Sequence, residues 1–402
     1  MISENSMSIK SRLPLKIGIL SLSLVVQAAG AVAAAVPFIM NDFSDRTTAQ
    51  VQSILTLPSM AILIFILLSS WFIKALGKKR TVCLGLIIAL VGGILPAFTM
   101  NFGLILFARI LFGAGLGLFN SMTVSLIGDN FTGAEQKNLL GIQSAVMTLG
   151  NSLATFAAGL LLTISWQASF LVYLVLLPIL FLFLFGYRNV NEKPVKTTQP
   201  STTATKRRKL PLSVTLGILT LFLFFISLMV VITSSALLIQ ELALTNQGFL
   251  STALAIAGIF SSLVALAFGQ ITKLLKRFTP VVVISFAMVG FFTITLAPTM
   301  TVFFIGLLVV YLANLVVPYV YSVILSDVDP EANNLVVSLA MVACNLGAFS
   351  SPYVINFISQ LFGMTTAAMQ VRIAAGIMAI IALIFLFLAF NKTTTLISKE
   401  EL

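Results

Sequence analysis

The chain has 402 residues, 59% of them hydrophobic and only 9% charged, with a formal net charge of +11. Soluble domains carry about 25% charged residues, so this composition excludes a water-soluble globule, and the absence of histidine removes the commonest metal ligand and the usual neutral-pH base. The basic residues sit in short loops between apolar runs, which argues against a nucleic-acid surface and for a membrane topology signal.

Lys10, Arg12 and Lys16 precede an apolar run that is too long for a signal-peptide core, and many more runs follow, so no cleavage is expected. Twelve membrane spans are predicted. In the first half they run from Ile17 to Met40, Val51 to Ile73, Val82 to Met100, Leu104 to Ile127, Leu139 to Ile164 and Phe170 to Phe185. The sixth is short and should extend at its ends. In the second half they run from Leu212 to Ile239, Phe249 to Ile271, Val281 to Pro298, Val302 to Leu325, Val336 to Leu361 and Met364 to Phe390. Helices are required because lipid cannot satisfy an open backbone, and the period-2 alternation of barrel strands is missing. The predicted fold is all-α integral membrane. Cys83 and Cys344 each lie inside an apolar run and suggest neither a disulfide nor a metal site.

Residues 189–210 change character, with KTTQPSTTATKRRK at their centre. This reads as a basic cytoplasmic linker, 189–211, between an N-terminal six-helix half, 1–188, and a C-terminal half, 212–402. With the N-terminus inside, the inner loops hold nearly all the Lys and Arg, and the outer loops hold only Arg46. Both termini are therefore expected in the cytoplasm. The halves echo each other. SWFIKALGKKR follows the second span and GQITKLLKRFT the eighth, placing Lys74 opposite Lys273 at an offset of 199. Asp129 and Asp327 are offset by 198, and Gly150 and Gly347 by 197. Three matches in register indicate duplication, and a duplicated bundle places its site at the interface of the halves.

Twelve spans as six plus six, a basic central loop and the turn Gly77-Lys78-Lys79-Arg80 resemble the major facilitator superfamily across nearly the whole chain. The superfamily's loop signature, G-x-L-x-D-R-x-G-R-K, is matched at Gly77, Lys78 and Lys79, while Ser70, Phe72 and Lys74 depart from it. Arg109, Gly113, Gly115 and Gly117 in RILFGAGLG look like the R-x-x-x-G-x-G pattern of the fourth span. The Gly-Pro pair of drug exporters is replaced by Ala154-Thr155 in the fifth span. The resemblance implies two pseudosymmetric six-helix bundles in the cytoplasmic membrane. It also implies alternating access and a cavity lined by the first, fourth, seventh and tenth helices.

Candidate site residues follow. Arg109, in an apolar span, is expected to face the bundle interior rather than snorkel outward, and the glycines after it should permit close packing. Arg372 could snorkel as readily as it faces inward. Polar residues deep in spans are Gln27, Gln143, Asn151, Tyr311, Asn314, Tyr319, Tyr321, Asn345, Tyr353 and Asn356. On the implied lining, Gln27, Asn314 and Tyr319 rank first as substrate contacts, beside Arg109. Asp129 and Asp327 lie at the level of two basic clusters, one of Lys74, Lys78, Lys79 and Arg80, the other of Lys273, Lys276 and Arg277. Together they form a candidate cytoplasmic latch. Gly113, Gly115, Gly117, Gly150 and Gly347 are packing positions.

No Asp or Glu lies in the middle of any span. The expected function is therefore secondary transport, by export or antiport, of a neutral or anionic drug or metabolite. An uptake carrier or exchanger for an organic anion or nutrient is the alternative, and a channel or membrane-embedded enzyme is remote. No cofactor and no nucleic acid are expected. A small-molecule substrate, the lipid bilayer and a coupling proton are the partners considered, for a monomer.

Overall fold

The computed structural model describes residues 9–188, 211–244, 249–326 and 333–390. All regular structure among these residues is helical. Eleven helices are long and apolar enough to cross a membrane, and one bent pair, Leu13–Val25 with Ala28–Asp42, supplies a twelfth span. The chain is thus a multi-pass membrane protein.

Some spans outrun their apolar core, and polar caps start two of them. The second runs Thr48–Leu76. The fourth runs Phe102–Asn130, its first turn capped by the Asn101 side chain, which accepts from the Leu104 N–H. The sixth extends at both ends, Trp166–Gly186, and starts at Ser165, whose hydroxyl accepts from the Ala168 N–H.

Two spans depart from the continuous helices that apolarity alone predicts. The first gives way after Leu22 to short 3-10 segments, Ser23–Val25, Ala28–Gly30 and Ala33–Ala35, and resumes as Val36–Asp42 with a 44° bend. The tenth is helical over Met300–Tyr311, tightens to a 3-10 turn at Leu312–Leu315, and resumes as Val316–Ser326. Hydropathy does not register either break, because an apolar 3-10 turn has the composition of an apolar helix.

The chain forms two compact units. One comprises Met1–Val32 and Met60–Ser201, the other Ala33–Ser59 and Thr202–Leu402. Within each unit the duplication is visible atom by atom. A Cβ on Gly150 would stand 2.2 Å from the Leu24 carbonyl oxygen, and one on Gly347 would stand 2.4 Å from that of Phe222. The fifth span therefore crosses the first, and the eleventh crosses the seventh, at equivalent points. Only residues without a Cβ permit such contacts. Residues 189–210, expected to link the halves, lie outside the described residues.

Candidate functional site

The break in the first span frees backbone carbonyls, and inside a membrane these need donors. Arg109 supplies one. Its guanidinium donates to the Ala29 carbonyl at 2.6 Å, and Tyr173 donates its hydroxyl to the Ala28 carbonyl at 3.0 Å. The Arg109 charge centre lies 4.8, 5.5 and 5.8 Å from the ring centres of Phe112, Tyr173 and Phe170. The side chain is fully buried. Arg109 therefore does not snorkel, and it is enclosed by protein rather than set on a solvent-reachable wall as expected for a substrate contact. The carbonyl it satisfies exists only because the first span bends.

The other substrate candidates are more accessible. Gln27, exposed, stands at the first-span break with its backbone out of the helical region, at φ −104°. Asn314, half-buried, stands in the 3-10 turn of the tenth span. It donates to the Ser261 hydroxyl at 3.1 Å, and that hydroxyl donates to the Tyr311 carbonyl at 3.1 Å. Asn314 and Ser261 thus form a polar bridge from the tenth span to the eighth at the break. Tyr319, half-buried, meets the Phe385 ring edge-on at 6.1 Å. Arg372 is exposed.

At the basic end of the first unit, Lys78 pairs with Asp129 and also donates to the Ser125 hydroxyl at 3.0 Å. Lys16 pairs with Glu135 at 2.7 Å. The Lys78–Asp129 ion pair joins the start of the third span to the end of the fourth within one unit. Gly77, at φ +82°, makes the tight turn that presents Lys78 at the start of its helix. Lys79 is half-buried, while Lys74, Arg80, Lys273, Lys276 and Arg277 are exposed. Lys276 holds φ +47°, and Arg277 lies over the Phe278 ring at 5.2 Å. Asp327 falls outside the described residues. Among the packing glycines, Gly113 is buried. Gly115 would place a Cβ 2.3 Å from the Ala89 backbone nitrogen, and Gly117 would place one 2.7 Å from the Ile62 carbonyl oxygen.

One constellation escaped the sequence reading. In the second unit Gln52, Asn356 and Gln370 close a ring of three amides. Gln52 donates to Gln370 Oε1 at 3.0 Å, Gln370 donates to Asn356 Oδ1 at 2.9 Å, and Asn356 donates to Gln52 Oε1 at 2.9 Å. Ser234 adds a donation to Gln370 Oε1 at 2.6 Å. All four side chains are buried. Asn356 alone stood out as a polar residue deep in its span. Gln52 and Gln370 lie near span ends, where polar residues are common and carry no signal by themselves.

Among the described carboxylates, Asp45 lies in the turn before the second span, paired with Arg46 at 3.1 Å, and the others sit at helix ends. Asp42 closes its helix, Asp129 and Glu135 form the pairs above or belong to them, and Glu241 accepts from the Ala367 and Ala368 N–H groups at 2.7 and 3.3 Å. That last contact caps the twelfth span with negative charge at its N-terminus.

The model of the Major Facilitator Superfamily matches residues 18–352. No curated protein gives a significant sequence match. Solved structures do share the fold. The POT family transporter PepTSo is 15% identical with a TM-score of 0.72, over 94% of this chain and 97% of that one. A D-xylose-proton symporter is 15% identical with a TM-score of 0.73, over 92% and 96%. A mutant of the nucleoside transporter NupG is 14% identical with a TM-score of 0.73, over 95% and 100%. Broken spans, glycine crossings at repeat-related positions and this match over most of the sequence lead to one conclusion: the chain belongs to the Major Facilitator Superfamily, and is a transporter rather than an enzyme.

Proposed function

We propose that the chain carries a small organic solute, neutral or anionic and not cationic, across the cytoplasmic membrane, outward from the cell, with both termini inside. The observation that carries the substrate class is the pair of broken spans. Each break bears a carboxamide, Gln27 on the first span and Asn314 on the tenth, and neither bears a carboxylate. Broken helices in transporters offer unpaired backbone groups to a solute near the middle of the membrane, and carboxamides both donate and accept. They suit hydroxyl, amide or carbonyl groups. Arg109 adds positive charge without a compensating carboxylate in the spans, which disfavours cations. Because its fork is already used by Ala29 and the aromatic rings, a neutral solute fits better than an anion. The chain's 33 Phe and 14 Met support export. The orientation rests on the Lys and Arg tally.

The test is counterflow in proteoliposomes with matched neutral, anionic and cationic probes, with and without a pH gradient. Saturable counterflow of the neutral or anionic probe is expected, with KM raised in Gln27→Leu and Asn314→Leu. Strong transport of a cation such as ethidium, unchanged in both variants, would overturn the substrate class. Labelling of a single cysteine at Thr203 from outside intact cells would overturn the orientation.

A further inference from the structure

The amide ring joins helices that are remote in sequence. Gln52 lies four residues into the second span, Ser234 seven residues before the end of the seventh, Asn356 five before the end of the eleventh, and Gln370 three into the twelfth. At 1.5 Å per residue these positions stand roughly 5–10 Å inside the helix ends. Its direction is set by the backbone. Gln52 also donates to the Thr233 carbonyl at 3.1 Å, and Asn356 to the Pro352 carbonyl at 2.7 Å. Reversing the ring would turn two amide oxygens against those carbonyls.

Two further features bear on what the ring does. First, the segment it fastens, Ala33–Ser59, is bounded by weak helix at both ends. The chain enters it through the 3-10 turns of the first span and leaves it beside Pro58, inside the helix Thr48–Leu76. Proline removes a backbone hydrogen bond, and 3-10 turns hold theirs poorly, so both are places where a helix bends. Second, the hydroxyls beneath the ring are orphans. Thr56, one turn inward from Gln52, and Ser227, two turns inward from Ser234, are buried and lack any hydrogen-bond partner.

We propose that Gln52, Asn356, Gln370 and Ser234 form a charge-free clamp that holds segment 33–59 against the rest of the second unit, and that its release opens a polar path past Thr56 and Ser227 during transport. Amides do not titrate, and neutral groups are little screened by salt, so the clamp keeps its strength across pH and ionic strength. The helices bearing the ring carry Lys74 at the far end of the second span, Glu241 capping Ala367 and Ala368, and the exposed Arg372. Asp42 lies at the end of the helix Val36–Asp42. None is a member of the ring.

The inference rests on the proposed orientation, which puts the ring near the external face. The test uses the full chain in cells, with Cys83 and Cys344 replaced and a reporter cysteine at Ser227, exposed to a membrane-impermeant methanethiosulfonate. The ring-intact protein should react slowly. Gln52→Leu removes two interhelical bonds of the ring, and reaction should accelerate about tenfold on the usual strength of such bonds in membranes. Gln370→Glu separates release from misfolding. Ionised, the new carboxylate cannot donate to Asn356 and faces its oxygen; protonated, it restores the donor. Because the cysteine reacts as its thiolate, each rate is taken relative to the ring-intact protein at the same pH: the Gln370→Glu ratio should be high at high pH and fall towards one at low pH. Equal rates in all three proteins, or a Gln370→Glu to ring-intact ratio that does not change with pH, would overturn the clamp. If Thr203 labels from outside, the orientation fails instead, and the same comparison is run in inverted vesicles.

Discussion

At the scale of single residues, Arg109 shows how a membrane-spanning charge is held by backbone and aromatic rings. The guanidinium sits in an aromatic box and answers a carbonyl that a bent helix exposes. Replacing it by Gln should destabilise the protein by about 2–4 kcal/mol, from lost cation–π contacts and an orphaned carbonyl. Thermal stability in detergent should fall, and the bias against cationic probes should weaken with it. A changed charge preference at unchanged stability would return Arg109 to the substrate. Tyr173→Phe should cost about 1 kcal/mol by the same measurement, since one hydrogen bond to Ala28 is lost. The Lys78–Asp129 pair is partly exposed, so a double-mutant cycle on it should give a coupling of only about 0.2–1 kcal/mol.

At the scale of helices, the glycine crossings are the most constrained features. Gly150→Ala would drive a Cβ into the Leu24 carbonyl, and Gly347→Ala one into that of Phe222. Each should cost about 1–3 kcal/mol, as overpacking does, and because the contacts lie in separate units the costs should add in the double variant. Less-than-additive loss of thermal stability would show that the two crossings yield together. The repeat also exposes an imperfection. Gly77 holds φ +82° without strain, whereas Lys276, its counterpart after the eighth span, holds φ +47° with a side chain. Lys276→Gly should therefore stabilise the protein by about 1 kcal/mol, visible as a raised melting temperature. An unchanged or lowered value would mean that the lysine side chain contributes more than the strain costs.

For the whole molecule, the distribution of charge sets the expected energetics of transport. The described carboxylates are confined to helix ends and one turn, where Asp129, Glu135, Asp45 and Glu241 meet Lys78, Lys16, Arg46 and helix N–H groups respectively. No spanning carboxylate is on hand there to pick up and release a proton. Solute counterflow should accordingly proceed without an imposed pH gradient, and such a gradient should change the initial rate by less than about twofold, a small fraction of a kcal/mol. A rate that climbs steeply with the gradient would identify a proton-coupled carrier and send the search for its proton site to the residues beyond those described.

What the chain determined by itself was everything that follows from adding residues along a line. Lipid forces each span to satisfy its own backbone, so apolar length alone marked the spans, and the basic turns, Asp129 and Gly150 with their partners about 198 positions on marked the duplication. What only the tertiary structure decided was how residues meet around helix axes. Whether Arg109 faces a solute or a bent backbone depends on the 44° break in another span, which has no compositional trace. Gln52 and Gln370 look alike in sequence whether they touch lipid headgroups, a solute or each other. They close a ring because four helix faces turn to one point, and that angular register is a property of packing rather than of any one segment.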